Sequence, residues 1–317
     1  MIRFGVALAG ALLLSACWAD DREGTVLVRP SADAPGGLRL AATVSAPTYT
    51  KFADQTGDQS FTSGCVRVAP PNSSTVGFPD TGLAFGYTAS TQSWGVTGDG
   101  LSLSFGPADI DTSAPAGYPF YAKPGIGSFI DRLRIQTAGI VGIGPLEYAR
   151  VVSVITNATG SSRTYTCLIG APTLVTDLPT TPTVTYNAAY GGGATRTILG
   201  GATSTLSLGK SGVTLGADLL TGQVTATIHL IGTPASGPDI DLGTVTGTAN
   251  IDPATGGYYG WTWSSPTLSG ITGQFSGRFY GPQGKETEFV LALEATSAST
   301  SPAYTLRIAS GSVVGIR

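Results

Sequence analysis

In the C-terminal third of the chain, apolar and polar residues alternate with a period of two, over and over. Val224, Ala226, Ile228 and Leu230 alternate with Thr225, Thr227 and His229, and Val245, Gly247, Ala249 and Ile251 alternate with Thr and Asn. Phe275, Gly277 and Phe279 alternate with Ser276, Arg278 and Tyr280; Phe289, Leu291 and Leu293, then Tyr304, Leu306 and Ile308, repeat the pattern. Only an extended strand turns successive side chains to opposite faces, so each segment reads as a strand with one buried face. About eight such segments, separated by short Gly, Pro, Asn and Asp turns, predict an antiparallel sheet that closes into a barrel and so removes its exposed edges. Tyr258, Tyr259, Trp261, Trp263, Phe275 and Phe279 are candidates to fill the interior of such a barrel. A membrane-spanning barrel is the rival; it needs strands of about 9–11 residues and aromatic girdles, and these segments read shorter. Composition agrees with β-structure. Charged residues are 12% of the chain, against about 25% in typical domains. Glycine is 45 of 317 residues, and there is one Met. The hydrophobic share is 41%, which argues against disorder.

Upstream, strands are predicted at 65–68, 82–88, 101–105, 132–137, 148–156 and 163–169, with a long Pro/Gly loop over 106–124. Tyr118, Phe120 and Tyr121 lie in that loop, either as anchors for a protein partner or packed over the mouth of the barrel. Three prolines between Pro172 and Pro182 mark a joint. The fold class expected is therefore all-β: a loop-rich β domain over 44–170, a Pro-rich linker over 171–184 and an eight-stranded antiparallel barrel over 185–317.

The first 17 residues combine Arg3, an apolar stretch over 4–14 and the sequence Leu14-Ser15-Ala16-Cys17. The stretch is too short to span a bilayer and fits an export signal. L-S-A-C resembles the lipobox of bacterial lipoproteins, which implies diacylglycerol on Cys17, cleavage before it and a membrane anchor through the N-terminal lipid. An ordinary secretory signal ending in a chance Cys is the alternative. Trp18, not Asp, follows Cys17, which leans toward the outer membrane. Residues 18–43, charged and aperiodic, read as a flexible tether. No Lys/Arg run is present to neutralise a phosphate backbone, so nucleic-acid binding is not expected.

Cys65 and Cys167 remain; in an oxidising compartment they are expected to form a disulfide, with two separate thiols as the alternative. The only His is His229 and there is no CxxC, so no metal site, cofactor or catalytic set is expected. Asp239, Asp241 and Asp252 read as turn caps, Glu286 and Glu288 as solvated neighbours, and Gly191-Gly192-Gly193 opens no helix that would cradle phosphate.

The segment from Gly273 to Glu286 carries Gly273, Phe275, Gly277, Phe279, Tyr280, Gly281, Pro282 and Glu286 in the order G-x-F-x-G-x-F-Y-G-P-x-x-x-E. It resembles the signature of the β-barrel domain of transferrin-binding-protein-B-like surface lipoproteins. Gly277 would let bulky rings approach, Gly281-Pro282 would make a tight turn, and Glu286 would accept backbone N–H bonds to fix that turn. Gly284 and Thr287-Glu288-Phe289 depart from the family's A and V-G-G-x-F. Residues 105–111, 169–173, 177–179, 185–186 and 314–317 resemble further segments of its shorter relatives. The resemblance implies a "handle" domain before a single barrel, and a surface-exposed outer-membrane lipoprotein rather than an enzyme. Such a protein would bind a protein or an iron- or haem-type nutrient for uptake, with a TonB-dependent receptor and a surface-lipoprotein translocon as partners. Which residues would bind the ligand is not legible. A periplasm-facing structural lipoprotein and a lipocalin-like carrier are the alternatives.

Overall fold

The computed structural model describes residues 47–70, 73–114, 119–297 and 302–317; Cys17, the tether and Tyr118 lie outside them. Before the joint come β1 (Gln59–Thr62), β2 (Gly64–Ala69), β3 (Ser73–Val76), β4 (Ala84–Thr88), β5 (Ser93–Gly98), β6 (Leu101–Phe105), β7 (Phe120–Pro124), β8 (Ile130–Gln136), β9 (Gly139–Ile140), β10 (Gly144–Pro145), β11 (Ala149–Thr156) and β12 (Arg163–Gly170). After it come β13 (Thr183–Ile198), β14 (Thr203–Ser207), β15 (Gly212–Asp218), β16 (Gln223–Pro234), β17 (Ile240–Ile251), β18 (Gly257–Ser264), β19 (Ser269–Tyr280), β20 (Glu286–Ser297) and β21 (Tyr304–Ile316). All named pairings are antiparallel, and the helices among the described residues are short 3-10 turns. None is long and apolar enough to cross a membrane.

The last nine strands form one sheet whose pairings return to their start, because β13 bonds to β21 as well as to β15. The eight expected strands are nine segments. β15 pairs with the first half of β13 and β14 with the second, and both also pair with β16. The two short strands therefore share one position in the circuit. The apolar face of the alternating series, from Val224 to Ile308, is buried in a single core inside this sheet.

Two expectations are corrected. Of the six aromatics assigned to the interior, Tyr258, Phe275 and Phe279 are buried there and Trp263 packs against them, but Tyr259 and Trp261 face outward. With Tyr258 inward, the strand period turns Tyr259 out, and a register shift against β17 between Tyr259 and Thr262 leaves Trp261 outside and returns Trp263 to the core side. Tyr259 stacks on Phe78 at 4.1 Å and Trp261 is 64% exposed. The strands are also longer than they read, with 12 residues in each of β16, β17, β19 and β20. Polarity rather than length separates this sheet from a lipid-facing one, since Gln223, Thr225, Thr227 and His229 line the outer side of β16.

The earlier strands form a four-stranded sheet, β1-β4-β5-β6, a six-stranded sheet, β3-β2-β12-β11-β8-β7, and the small β9–β10 hairpin. The six-stranded sheet is a middle layer. Val152, Val154, Tyr165 and Ile169 pack on Phe85, Val96 and Phe105 of the four-stranded sheet. Ala149, Val151 and Leu168, from the same strands, pack on Tyr280, Val290 and Val314 of the closed sheet. Burial on both faces explains why apolar residues stand side by side, at Val151-Val152 in β11 and Cys167-Leu168-Ile169 in β12. The segment expected as a loop over 106–124 contains edge strand β7, paired to β8. Tyr121 is consequently buried between the first two sheets, its ring 6.2 Å from Phe105, and does not cover a barrel mouth.

Cys65 and Cys167 are directly opposite on β2 and β12 and are disulfide-bonded, facing the core between the first two sheets. The bond joins positions 102 residues apart, and closing so long a loop restricts the unfolded chain. Reduction, or replacing both cysteines by serine, is expected to lower stability by about 2–5 kcal/mol in urea unfolding of the full chain. An unchanged midpoint would remove the bond from the account of this core.

Candidate functional site

The Gly273–Glu286 segment fastens the closed sheet to the middle layer. In β19, Phe275 and Phe279 point inward and Tyr280 outward into the interlayer core. Gly277 is required by close approach, since a Cβ there would meet the Tyr258 ring at 2.5 Å. Gly281 has φ of 72°, and a Cβ on it would lie 2.5 Å from the Tyr148 ring of the middle layer, so both conformation and space call for glycine. The incoming chain is sewn to the same place: Thr173 N donates to Phe279 O at 2.9 Å, Thr173 Oγ1 to Gly281 O at 2.7 Å, and Gly281 N to Ala171 O at 2.9 Å. Gly273 lies beside Trp263, and Pro282 opens the 3-10 turn Pro282–Gly284.

Glu286 does not fix its own turn. Its carboxylate, buried at the outward first position of β20, accepts the backbone N–H groups of Glu147 (2.5 Å), Tyr148 (2.9 Å) and Ala149 (3.1 Å). Around it, Glu147 pairs with Lys51 at 2.9 Å and Lys285 at 2.6 Å. Arg278 Nη1 donates to both carboxylate oxygens of Asp80, at 2.5 and 2.6 Å, and its Nη2 donates to Thr255 O at 2.8 Å.

Two residues on, Glu288 shares the outward face but is fully buried, not solvated, and neither carboxyl oxygen has a hydrogen-bond partner among the described residues. Burial pushes this carboxyl well above the usual range, the neighbouring Glu286 adds to the rise, and Arg150 opposes it. For Glu286, burial also raises the carboxyl, while the three amide N–H groups pull it back.

Where the middle layer runs past the closed sheet, a groove of about 610 Å³ opens. Arg132, Arg134 and Gln136 of β8 and Ser153 and Ile155 of β11 form one side; Gly191, Gly192, Ser310, Gly311 and Ser312 of β13 and β21 form the other. Phe120, expected as a loop anchor, stands at this groove. Sequence reasoning misses Arg132 and Arg134. The alternation Arg132-Leu133-Arg134-Ile135 places both arginines on one face, but nothing local shows that the face looks across at the glycine run.

The remaining candidates stay apart. His229 and Asp241 form an exposed surface pair at 3.1 Å, Asp239 pairs with Lys210, and Asp252 caps the turn at Ala254. Among the described residues no three His, Cys, Asp or Glu converge to hold a metal.

No protein-family model and no curated protein sequence matches the chain. Among solved structures it is similar to a point mutant of transferrin binding protein B from Haemophilus parasuis, with a TM-score of 0.40 and 12% identity over 81% of this chain and 46% of that one. It is also similar to isotype 1 transferrin binding protein B from serogroup B Neisseria meningitidis, with a TM-score of 0.40 and 13% identity over 81% of this chain and 43% of that one. The chain thus spans less than half the length of these structures.

Replacing Glu286 by Ala orphans three amides and is expected to cost about 3 kcal/mol or more. Replacing Glu147 by Ala removes only partly exposed ion pairs and should cost under about 1 kcal/mol. Urea unfolding of the full chain compares them; equal costs would refute the fastening role. Glu288 gives a pH signature of defined sign. The folded chain holds this proton more tightly than the unfolded chain, so the stability it contributes is complete below the unfolded value and is lost as pH rises toward the folded one. Melting temperature should therefore fall as pH rises above the ordinary carboxylate range, and Glu288→Gln should flatten that fall. A slope unchanged in the variant would show that another group is responsible.

Proposed function

We propose that this chain is an outer-membrane lipoprotein, anchored through Cys17 and displayed on the cell surface, that binds a ligand in the groove between its middle layer and its closed sheet. The observation that carries this reading is the groove itself. Its volume is about 610 Å³, and polar groups converge on it from two sheets. Small-ligand sites span roughly 300–1000 Å³, so the groove falls within their range. In this reading the chain divides into a handle-like part over 44–170, a linker over 171–184 and a barrel over 185–317. The barrel is a scaffold and not a container: the rings of Tyr258, Phe275, Phe279 and Phe289 are spaced 5.2 to 6.4 Å apart through its interior. Its polar outer face suits water, and the L-S-A-C sequence supplies the membrane attachment. As the sequence resemblance implies, the ligand would be handed to a TonB-dependent receptor.

Protease treatment of intact cells, combined with labelled palmitate, tests the reading. The protein should be shaved from the surface, and Cys17→Ala should abolish the label. A protein that stays in the outer-membrane fraction but resists protease would overturn surface display and favour a periplasm-facing role. Label retained by the variant would overturn the anchor.

A further inference from the structure

We infer that a second, smaller cavity, where the four-stranded sheet, the middle layer and the closed sheet meet, takes one edge of a neutral sugar ring, whose face lies on the outward rings of Tyr259 and Trp261. The site shares no lining residue with the groove and does not depend on it.

The cavity holds about 100 Å³ and is walled by Gly64 of β2, by Pro79 and Asp80, and by Ser276 and Arg278 of β19. Exposed Ser60 and Thr62 of β1 stand at its mouth. Folding leaves two of its polar groups unmatched. Ser276 is fully buried, yet its Oγ has no hydrogen-bond partner among the described residues. That oxygen points across the seam: a Cβ on Gly64 would lie 2.9 Å from it. Arg278 spends Nη1 on Asp80 and Nη2 on Thr255 O, but its buried Nε also lacks a partner among the described residues. Buried polar atoms are nearly always satisfied, so two orphans around one cavity point to an occupant that brings hydrogen bonds of its own.

Charge selects among occupants. Asp80 neutralises Arg278, and its Oδ1 also accepts from Thr62 Oγ1 at 2.7 Å. The lining therefore offers a donor N–H, a carboxylate acceptor and a hydroxyl able to do either, with no net charge. An anion would meet Asp80 and a cation would meet Arg278, whereas a sugar hydroxyl donates and accepts at once. Size sets how much of the sugar enters. A cavity of about 150 Å³ holds a benzene ring; this one is smaller, so a hexose enters by an edge and needs a flat apolar surface outside. Such a surface adjoins the cavity. Tyr259 stands directly across from Ser276 on the outward face of β18, and Phe78 is the residue before Pro79. Phe78 stacks on Tyr259 at 4.1 Å, Trp261 lies 5.7 Å from Tyr259, and Phe78 and Trp261 are 55% and 64% exposed. The axial C–H groups of a pyranose form an apolar patch that can rest on the electron-rich face of such rings. Asn250, across from Tyr259, and Gln274, on the same face of β19 as Ser276, add uncharged amides beside them.

The test is a saturation-transfer NMR titration of the full chain, in micelles of a detergent without a sugar headgroup. Maltose, lactose and mannobiose are the probes and sorbitol is the open-chain control. At least one disaccharide is expected to bind and sorbitol is not, because it has the hydroxyls without the ring face. Trp261→Ala and Ser276→Ala should each weaken binding about tenfold. Trp261 is exposed and the Ser276 hydroxyl is unpartnered among the described residues, so both variants should keep the wild-type melting temperature, which separates lost recognition from lost folding. Silence with all three disaccharides would overturn the inference. So would wild-type affinity in either variant, or sorbitol bound as well as the sugars.

Discussion

One buried carboxylate sets the relation between the layers. The amides of residues 147–149 lie where the chain enters β11, and Glu286 supplies their acceptor from the opposite sheet. A buried amide left without an acceptor costs about 1–3 kcal/mol, so three of them fix the position of β11 against β20 within narrow limits. The interlayer contacts of Tyr148, Ala149 and Val151 with Tyr280, Val290 and Val314 follow from that alignment. So does the place of Gly281 beneath the Tyr148 ring, where no other residue would fit without displacing it.

The groove is a consequence of the same alignment. Twisted sheets packed face to face meet along part of their area and diverge at the corners. Here β2, β3 and β12 press on β19, β20 and β21. The far strands of the middle layer, β8 and β7, run past β13 and β21, where glycines keep the wall thin. A half-buried strand face beside such a wedge stays accessible while its backbone is held by neighbours on both sides. Arg132 and Arg134 are thus positioned by β7 and β11 rather than by a loop.

Much of this is legible in the chain. The period of two sets the inward face of every long strand, because a slip of one residue would expose the whole apolar set. The disulfide is legible from the two cysteines that remain once Cys17 is set aside as the expected lipid site. What the sequence hides is partnership across distance. Glu286 is recognisable as an acceptor of amide protons, but the amides lie 137 to 139 residues away. Tyr259 and Trp261 group with the interior aromatics only when ring content is weighed ahead of parity along β18. Phe120 and Tyr121 read as loop because a Pro- and Gly-rich approach obscures an edge strand of 5 residues. The groove is invisible because its two sides meet only after both sheets have formed.

Glu286 and Glu288 show why a repeated residue type in one strand need not mean a repeated role. Both carboxyls face the interlayer core from β20, and like charges that close in a poorly solvated space disfavour double ionisation. Three amide dipoles point at Glu286 and none at Glu288, so the negative charge belongs on Glu286 and the proton on Glu288. Arg150, buried beside them with its guanidinium on the carbonyls of Leu146 and Ala149, supplies the opposing positive charge. The interface is then neutral with one carboxylate, one arginine and one un-ionised acid. That neutrality is what permits such a polar set to lie between two apolar surfaces.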